Sequence, residues 1–409
     1  MVDTVGQTTF LVTPVQDEPH SDALDGPAGW VVVVAAFLSM FAVFGVSYSF
    51  GAILIDLQED FGISKAAAAW FPAIATFLYF SIGIFTGRLA DRHGPRPVLL
   101  AGAGALTAGM VATASVDDPL LACVTYSLGV GFGVAAGYVP MVAAVGGWFE
   151  RRRTTALGLA VAGIGMGTLV GARLTDRLAE LYGWRSAFQA IGIGAGVLLL
   201  LAALLARRPP GSGTGSVALP VRTLAGNRQF RLLYLGMFLT SVILFLPFVF
   251  LDDQLTSQGS PHGPLLIGVI GAMSVIGRLG IGALASRVPL SVLYLSSCAM
   301  VPLTFLLWLA AGTNLAALAG FAALMGVSYG GFIALAPAVT AGVFGPEGLG
   351  GVLGLLYTSA GIGGLVGPPA AGRLEGIIGY PATILAAVVI GLTAVPVLWV
   401  VARSSTTSA

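Results

Sequence analysis

The sequence predicts an all-α membrane protein of twelve transmembrane helices, arranged as two six-helix halves. Three observations predict it. The 409-residue chain is 56% hydrophobic and 9% charged, with a mean hydropathy of +0.93, whereas charged residues make up about a quarter of an ordinary soluble domain. Twelve stretches are long and apolar enough to cross a bilayer. The first six and the last six also repeat one another.

The first 24 residues are polar, acidic and free of Lys and Arg, which excludes a conventional signal peptide and reads as a disordered tail. The first half, 25–206, holds spans at approximately 30–54, 67–87, 97–115, 120–145, 154–175 and 185–206. Residues 207–229, rich in Pro, Gly and Ser, read as a flexible linker. The second half, 230–402, holds spans at approximately 230–251, 265–285, 289–311, 315–339, 349–372 and 380–402, and 403–409 form a second tail. Glycine and proline punctuate many of the spans, as membrane helices tolerate.

The repeat is carried by two blocks. Gly129, Gly133 and Pro140 recur as Gly326, Gly330 and Pro337, always 197 residues apart, and Ala162–Gly165 (AGIG) recurs as Ala360–Gly363, 198 apart. Chance similarity between Gly-rich helices is the weaker reading of two blocks that agree in order and nearly in offset. A parallel six-plus-six repeat places a ligand between the halves near mid-membrane.

An even span count puts both termini on one side. Alternating the loops collects thirteen arginines on the side of the termini and five basic residues (Lys65, Arg173, Arg177, Arg185 and Arg373) on the other. Positive charge stays inside, so both termini are expected in the cytoplasm. Lys65 is the only lysine, a skew that reads as a GC-rich genome. A bacterial cell membrane is the expected location.

One basic residue stays in the membrane. Arg278 interrupts the apolar stretch Ile267 to Leu284, about 20 Å from the expected outer end of its span near Leu265 and about 10 Å from the inner end, a long reach for snorkelling. A mid-membrane arginine costs about 3 kcal/mol on the insertion scale, and intramembrane charge marks function by default. No acidic residue lies within a helical turn of it. Two readings compete: a guanidinium that bonds carbonyls between helices, and one whose partner is an anionic substrate. The second is favoured. One guanidinium offsets one carboxylate, so a monocarboxylate is expected.

Other classes are excluded by composition. A net charge of +1 lacks the concentrated basic face of a nucleic-acid binder. The only lysine is not in a G-x-x-x-x-G-K-[ST] loop, so no ATP site of that kind exists. His20, His93 and His262 form no metal spacing, and Cys123 and Cys298 sit in apolar stretches as core residues. No cofactor, no metal and no enzyme chemistry is expected.

After the second span comes Gly87-Arg-Leu-Ala-Asp91-Arg92-His93-Gly94-Pro95-Arg96. This resembles the signature loop of the major facilitator superfamily, with Pro95 in place of one basic residue. The carboxylate of Asp91 can meet a helix N-terminus and a neighbouring arginine. Gly87, Asp91, Arg92 and Arg96 are therefore expected to act as a cytoplasmic gate rather than as a topology anchor alone. The counterpart at Gly282 to Arg287 has Ser286 where the acid would stand, which predicts a weaker second gate.

Asp25-Gly-Pro-Ala-Gly-Trp30 opens the first span, and Gly146-Gly-Trp-Phe-Glu-Arg-Arg-Arg153 with Ala156–Ala160 opens the fifth. Both resemble the signatures of the monocarboxylate transporter family and its oxalate:formate antiporter relatives. The first departs at Pro27 and Ala28. Gly326 to Pro337 and Gly361 to Pro369 are similar to that family's tenth and eleventh spans. The resemblance covers the chain apart from tail and linker, and implies the major facilitator fold.

The resemblance also implies that Arg278 is the substrate-binding arginine and that Tyr329 stands beside it. Tyr48, Tyr138 and Tyr357 are further candidates, since a phenol can bond a carboxylate or an α-hydroxyl, and Phe332 is expected to set pocket width. Where animal members carry an Asp before the arginine, this chain has Ser274, and Tyr48 corresponds to a lysine used for proton handling. The proton route is thereby open. Asp252 and Asp253, at the outer end of the seventh span, are the remaining candidates, with a solvated external loop as the competing reading. The expected function is secondary transport of a small monocarboxylate, with a proton as co-substrate and the lipid bilayer as surroundings. An organic-anion exchanger, an efflux carrier for a larger metabolite or drug, and an anion sensor without transport are the alternatives.

Overall fold

The computed structural model describes residues 24–149, 151–210, 221–284, 287–344 and 349–406. These form fifteen α-helices and, among the described residues, no strand. In order they are α1 (Pro27–Ser47), α2 (Leu54–Phe61), α3 (Lys65–Ala68), α4 (Trp70–His93), α5 (Pro95–Ser115), α6 (Pro119–Trp148), α7 (Arg153–Tyr182) and α8 (Trp184–Leu205). There follow α9 (Val221–Gly226), α10 (Arg228–Leu244), α11 (Leu246–Ser257), α12 (Gly263–Leu284), α13 (Leu290–Ala311), α14 (Leu315–Phe344) and α15 (Leu349–Thr406). Among the described residues eleven helical runs are apolar and long enough to cross a membrane. The last of them is two spans: α15 folds at Gly379, whose φ of 76° only glycine adopts without strain. Twelve spans result, and the chain is an all-α integral membrane protein.

Several spans outrun their sequence estimates. The fourth and tenth are single helices of 30 residues, each with a proline inside, Pro140 and Pro337. The signature loop after the second span is tight: Gly94 (φ 85°) ends α4 and Pro95 starts α5, a position where a missing N–H is harmless. Pro95 therefore starts a helix where the superfamily pattern has a basic side chain. Of the expected linker, 211–220 lie outside the described residues and Val221–Gly226 is helical. Residues 1–23 and 407–409 of the expected tails also lie outside them.

α1 packs on α6, α7 and α8, and α5 on α6 and α8; later in the chain α12 packs on α14, and α10 on α15. The two most extensive crossings between the earlier helices and the later ones are α7 on α12 and α4 on α15, and α3 also meets α15. Large apolar side chains such as Phe85, Leu120 and Ile377 stay 66%, 73% and 71% exposed, a surface that belongs against lipid rather than water.

The repeated glycines have a packing reason. A Cβ on Gly330 of α14 would overlap the carbonyl of Ser274 on α12, and one on Gly277 of α12 would overlap the carbonyl of Val327 on α14. The two backbones touch, as small residues allow in membrane helices. That contact fixes the height and rotation of α12, and Arg278 follows directly on Gly277.

Candidate functional site

The site begins with two interrupted helices. α1 ends at Tyr48 (φ −95°, ψ 2°), and the first span resumes through a 3₁₀ turn, Phe50–Ile53, into α2. The seventh span breaks at Phe245 (φ −89°, ψ −9°), between α10 and α11, with Pro247 in the first turn of α11. Tyr48 and Phe245 are 197 residues apart, the offset of the glycine–proline repeat. In membrane folds built from repeats, paired breaks at corresponding positions mark ligand sites.

Arg278 lies on α12 at the crossing with α7 and is 7% exposed. Its Nη1 donates to the carbonyl of Val161 on α7 at 3.0 Å. Its Nε and Nη2 have no partner among the described residues. These two N–H groups point to the same side of the guanidinium and form its side-on fork, the geometry that pairs with both oxygens of a carboxylate. One edge bonds a helix carbonyl, and the other is free.

An aromatic wall surrounds that edge. The guanidinium carbon is 5.6 Å from the ring centre of Tyr329 on α14. The Tyr329 hydroxyl shares a 2.7 Å hydrogen bond with the hydroxyl of Tyr48 at the break of the first span. The Tyr48 ring stacks on Phe248 of α11 at 4.4 Å. Phe44, one turn before Tyr48, meets the edge or face of Tyr138 (5.4 Å) and Tyr79 (6.2 Å). Arg278, Tyr329, Tyr48 and Tyr138 are thus brought together from α12, α14, α1 and α6.

Two residues join the set that sequence reasoning passed over. Phe248 is the ring under Tyr48. Tyr79, on α4, is 3% exposed, and its hydroxyl has no hydrogen-bond partner among the described residues. Its signal in sequence was only a tyrosine in an apolar run.

The other candidates stand elsewhere. Phe332 is fully buried and stacks on Tyr294 of α13 at 5.6 Å. Tyr357 faces Phe80 at 6.0 Å across the α4–α15 crossing. Ser274 turns its hydroxyl back to the carbonyl of Gly271. Asp252 and Asp253 are helical in α11 and 8% and 7% exposed, which corrects the reading of a solvated loop. Asp253 bonds Lys65 at 2.7 Å. Asp252 sits against the first turn of α12 at Gly263.

At the end bearing the termini, Gly87 brings α4 against Val139 of α6. Arg96 donates to the carbonyls of Ala206 and Leu204 at 2.9 and 2.7 Å, placing a cation on the C-terminal end of α8. Arg92 is exposed, and the side chain of Asp91 and much of the Gly282–Arg287 counterpart lie outside the described residues. The two family signatures dock on each other. Asp25 accepts from the backbone N–H groups of Arg151 and Arg152 at 3.1 and 3.0 Å, and Trp30 meets Phe149 edge-on at 5.0 Å.

The comparisons agree with this architecture. Residues 35–314 match the Major Facilitator Superfamily. Monocarboxylate transporter 3 of Rattus norvegicus is 31% identical over 369 residues, covering 86% of this chain and 74% of the relative. Monocarboxylate transporter 11 of Homo sapiens is 31% identical over 375 residues, covering 86% and 78%. The MFS transporter asaE of Aspergillus flavus is 26% identical over 367 residues, covering 88% and 83%. Among solved structures, a bacterial homolog of the human lysosomal transporter Spinster, inward-facing and unoccupied, superposes with a TM-score of 0.71 at 16% identity, covering 93% and 98%. The interrupted first and seventh spans, the arginine buried at the crossing of α7 and α12 and these relatives lead to one assignment: the chain belongs to the Major Facilitator Superfamily of membrane transporters, with monocarboxylate transporters among its relatives.

Proposed function

We propose that this protein carries a small monocarboxylate, such as lactate, pyruvate or a short 2-oxo acid, across the membrane together with a proton. The observation that carries the reading is the free side-on fork of Arg278, buried between helices of both halves. A carboxylate seated there regains two charge-assisted hydrogen bonds and neutralises the guanidinium. Tyr329, Tyr48, Tyr138 and Tyr79 supply ring faces for a short carbon skeleton and hydroxyls for an oxygen on its second carbon. The names of two relatives support the same substrate class.

Transport then follows from the seam. The site is built from α1, α4, α6 and α7 on one side and α11, α12 and α14 on the other. Rocking the two sets about Arg278 opens it alternately to each membrane face, with 25–206 and 230–402 as the moving halves. Gly87, Asp91, Arg92 and Arg96 form the cytoplasmic gate, and both termini are cytoplasmic. A weak acid moving with its proton is a neutral load, which favours symport. Exchange of one anion for another is the second reading, favoured by Ser274 standing where animal members have an acid.

Uptake of labelled L-lactate into proteoliposomes, with and without an inside-alkaline gradient, tests the proposal. Gradient-driven uptake in the wild type, abolished in Arg278→Ala, supports symport. Uptake that ignores the gradient and requires internal anion selects exchange. No flux of any small carboxylate by folded protein overturns both.

A further inference from the structure

Lys65 opens the second span, one residue after Ser64, whose hydroxyl caps the turn by accepting from Ala67 N–H at 3.2 Å. Its ammonium reaches across to the later helices. It lies 2.7 Å from Asp253 on α11 and 3.1 Å from Glu375 on the first limb of α15. A third bond, 3.3 Å long, runs to the hydroxyl of Tyr380, just past the fold at Gly379. An ammonium has three N–H groups, and all three are used. Tyr380 closes the circle by donating its own proton to Asp253, and its ring faces the ammonium at 4.7 Å. The three charged side chains are only 20%, 9% and 19% exposed, so water screens them less than a surface pair.

The cluster is distinctive in its reach. Among the described residues every other ion pair joins groups within the first six spans: Arg173 to Asp176, Arg177 to Glu180, and Arg185 to Asp60 and Asp117. The Lys65 pairs alone tie an early helix to late ones. They do so where the backbones nearly touch, since a Cβ on Gly372 would stand 3.1 Å from the Cα of Ala66. The repeat sharpens the contrast. The 197-residue offset that maps Tyr48 onto Phe245 maps Asp56 onto Asp253 and Lys65 onto His262. At that second seam no ion pair forms among the described residues. One seam carries a fixed-charge tie and its counterpart does not.

We propose that Lys65, Asp253, Glu375 and Tyr380 are the gate at the membrane face opposite the termini, a polar latch that holds α3–α4 against α11 and α15 and releases when the site opens to that face. The chemistry suits a reversible contact. Apolar packing, once parted, exposes surface that water will not stabilise, whereas an ammonium, two carboxylates and a phenol are all rehydrated on opening. The closed state gains by dehydration and geometry, and the open state by solvation, so neither is a trap. The motion rests on the alternating-access reading above. The latch does not depend on which anion is carried.

The test is a labelling rate. With Cys123 and Cys298 replaced by alanine, a single cysteine at Thr76, buried on α4 beneath the latch and beside Gly364 of α15, reports opening. A membrane-impermeant maleimide is applied from the side opposite the termini. Lys65→Gln and Asp253→Asn should each raise the rate at least fivefold. Lys65→Arg, which keeps charge and multiple N–H groups, should leave it near that of the parent. The exchange Lys65→Asp with Asp253→Lys restores one cation among acids and should return it to the parent rate. An unchanged rate in folded Lys65→Gln, or an exchange that stays as fast as the single variants, overturns the latch. A raised rate in a protein that carries no carboxylate upholds the latch and dismisses the substrate reading.

Discussion

Replacing Tyr329 by phenylalanine removes one oxygen and leaves the ring, so it isolates the 2.7 Å bond that joins α14 to α1. Both tyrosines are nearly enclosed, Tyr48 at 5% and Tyr329 at 3% exposure. Loss of one hydroxyl strands the other, which costs about 1–3 kcal/mol. Loss of both strands neither, and two phenylalanine rings fit the same space, with the Tyr48 stack on Phe248 kept. Tyr48→Phe and Tyr329→Phe are therefore expected to destabilise the protein singly by about 1–3 kcal/mol, with much of that loss recovered in the double variant. Because the bond spans the seam, the same energy shifts the balance between conformations by roughly 5- to 150-fold. Unfolding in mixed micelles of wild type, the two single variants and the double variant gives the coupling directly. Losses that simply add in the double variant would refute the bond as a tie across the seam.

Other consequences follow from the packing. Gly330→Ala places a methyl on the Ser274 carbonyl and should cost about 1–3 kcal/mol while weakening substrate binding, because α12 carries Arg278; Gly104→Ala, with no atom near its new Cβ, should be nearly silent in both thermal unfolding and uptake. Asp25→Ala strips two backbone N–H groups at the start of α7 of their acceptor and should cost about 1–2 kcal/mol in unfolding experiments, with Asn recovering part of it. Trp308→Phe removes a 2.5 Å bond to buried Gln254 and should destabilise the α11–α13 contact by about 1–3 kcal/mol, read as a lower unfolding midpoint.

The architecture was legible because bilayer thickness fixes span length and leaves a long apolar signal. Arg278 was legible for the same reason in reverse: a charge inside such a run is costly and needs a partner, and the sequence left open whether that partner is a helix carbonyl or a substrate. The breaks at Tyr48 and Phe245 were not, although Pro247 and the repeat offset mark the second of them. Every span is apolar on all sides, so no periodicity tells which tyrosine faces the seam and which faces lipid or a neighbouring helix. Tyr79 and Phe332 look alike in sequence, yet one lies by Phe44 in the aromatic wall and the other stacks on Tyr294. The Lys65 cluster joins residues up to 315 positions apart, beyond any local pattern. Asp253, legible only as an acid near a span end, acquires its meaning from that distant lysine.

The central claim is that the free edge of Arg278 holds one carboxylate. Calorimetric titration of the detergent-solubilised protein with pyruvate, with the neutral amide of the same skeleton and with a dicarboxylate tests it most directly, on wild type beside Arg278→Lys. The account predicts binding of pyruvate to wild type, no detectable binding of the amide, weaker binding of the dicarboxylate, and at least a tenfold loss in Arg278→Lys, whose ammonium cannot present a planar fork. Equal affinity for acid and amide, or full affinity in Arg278→Lys, would contradict it.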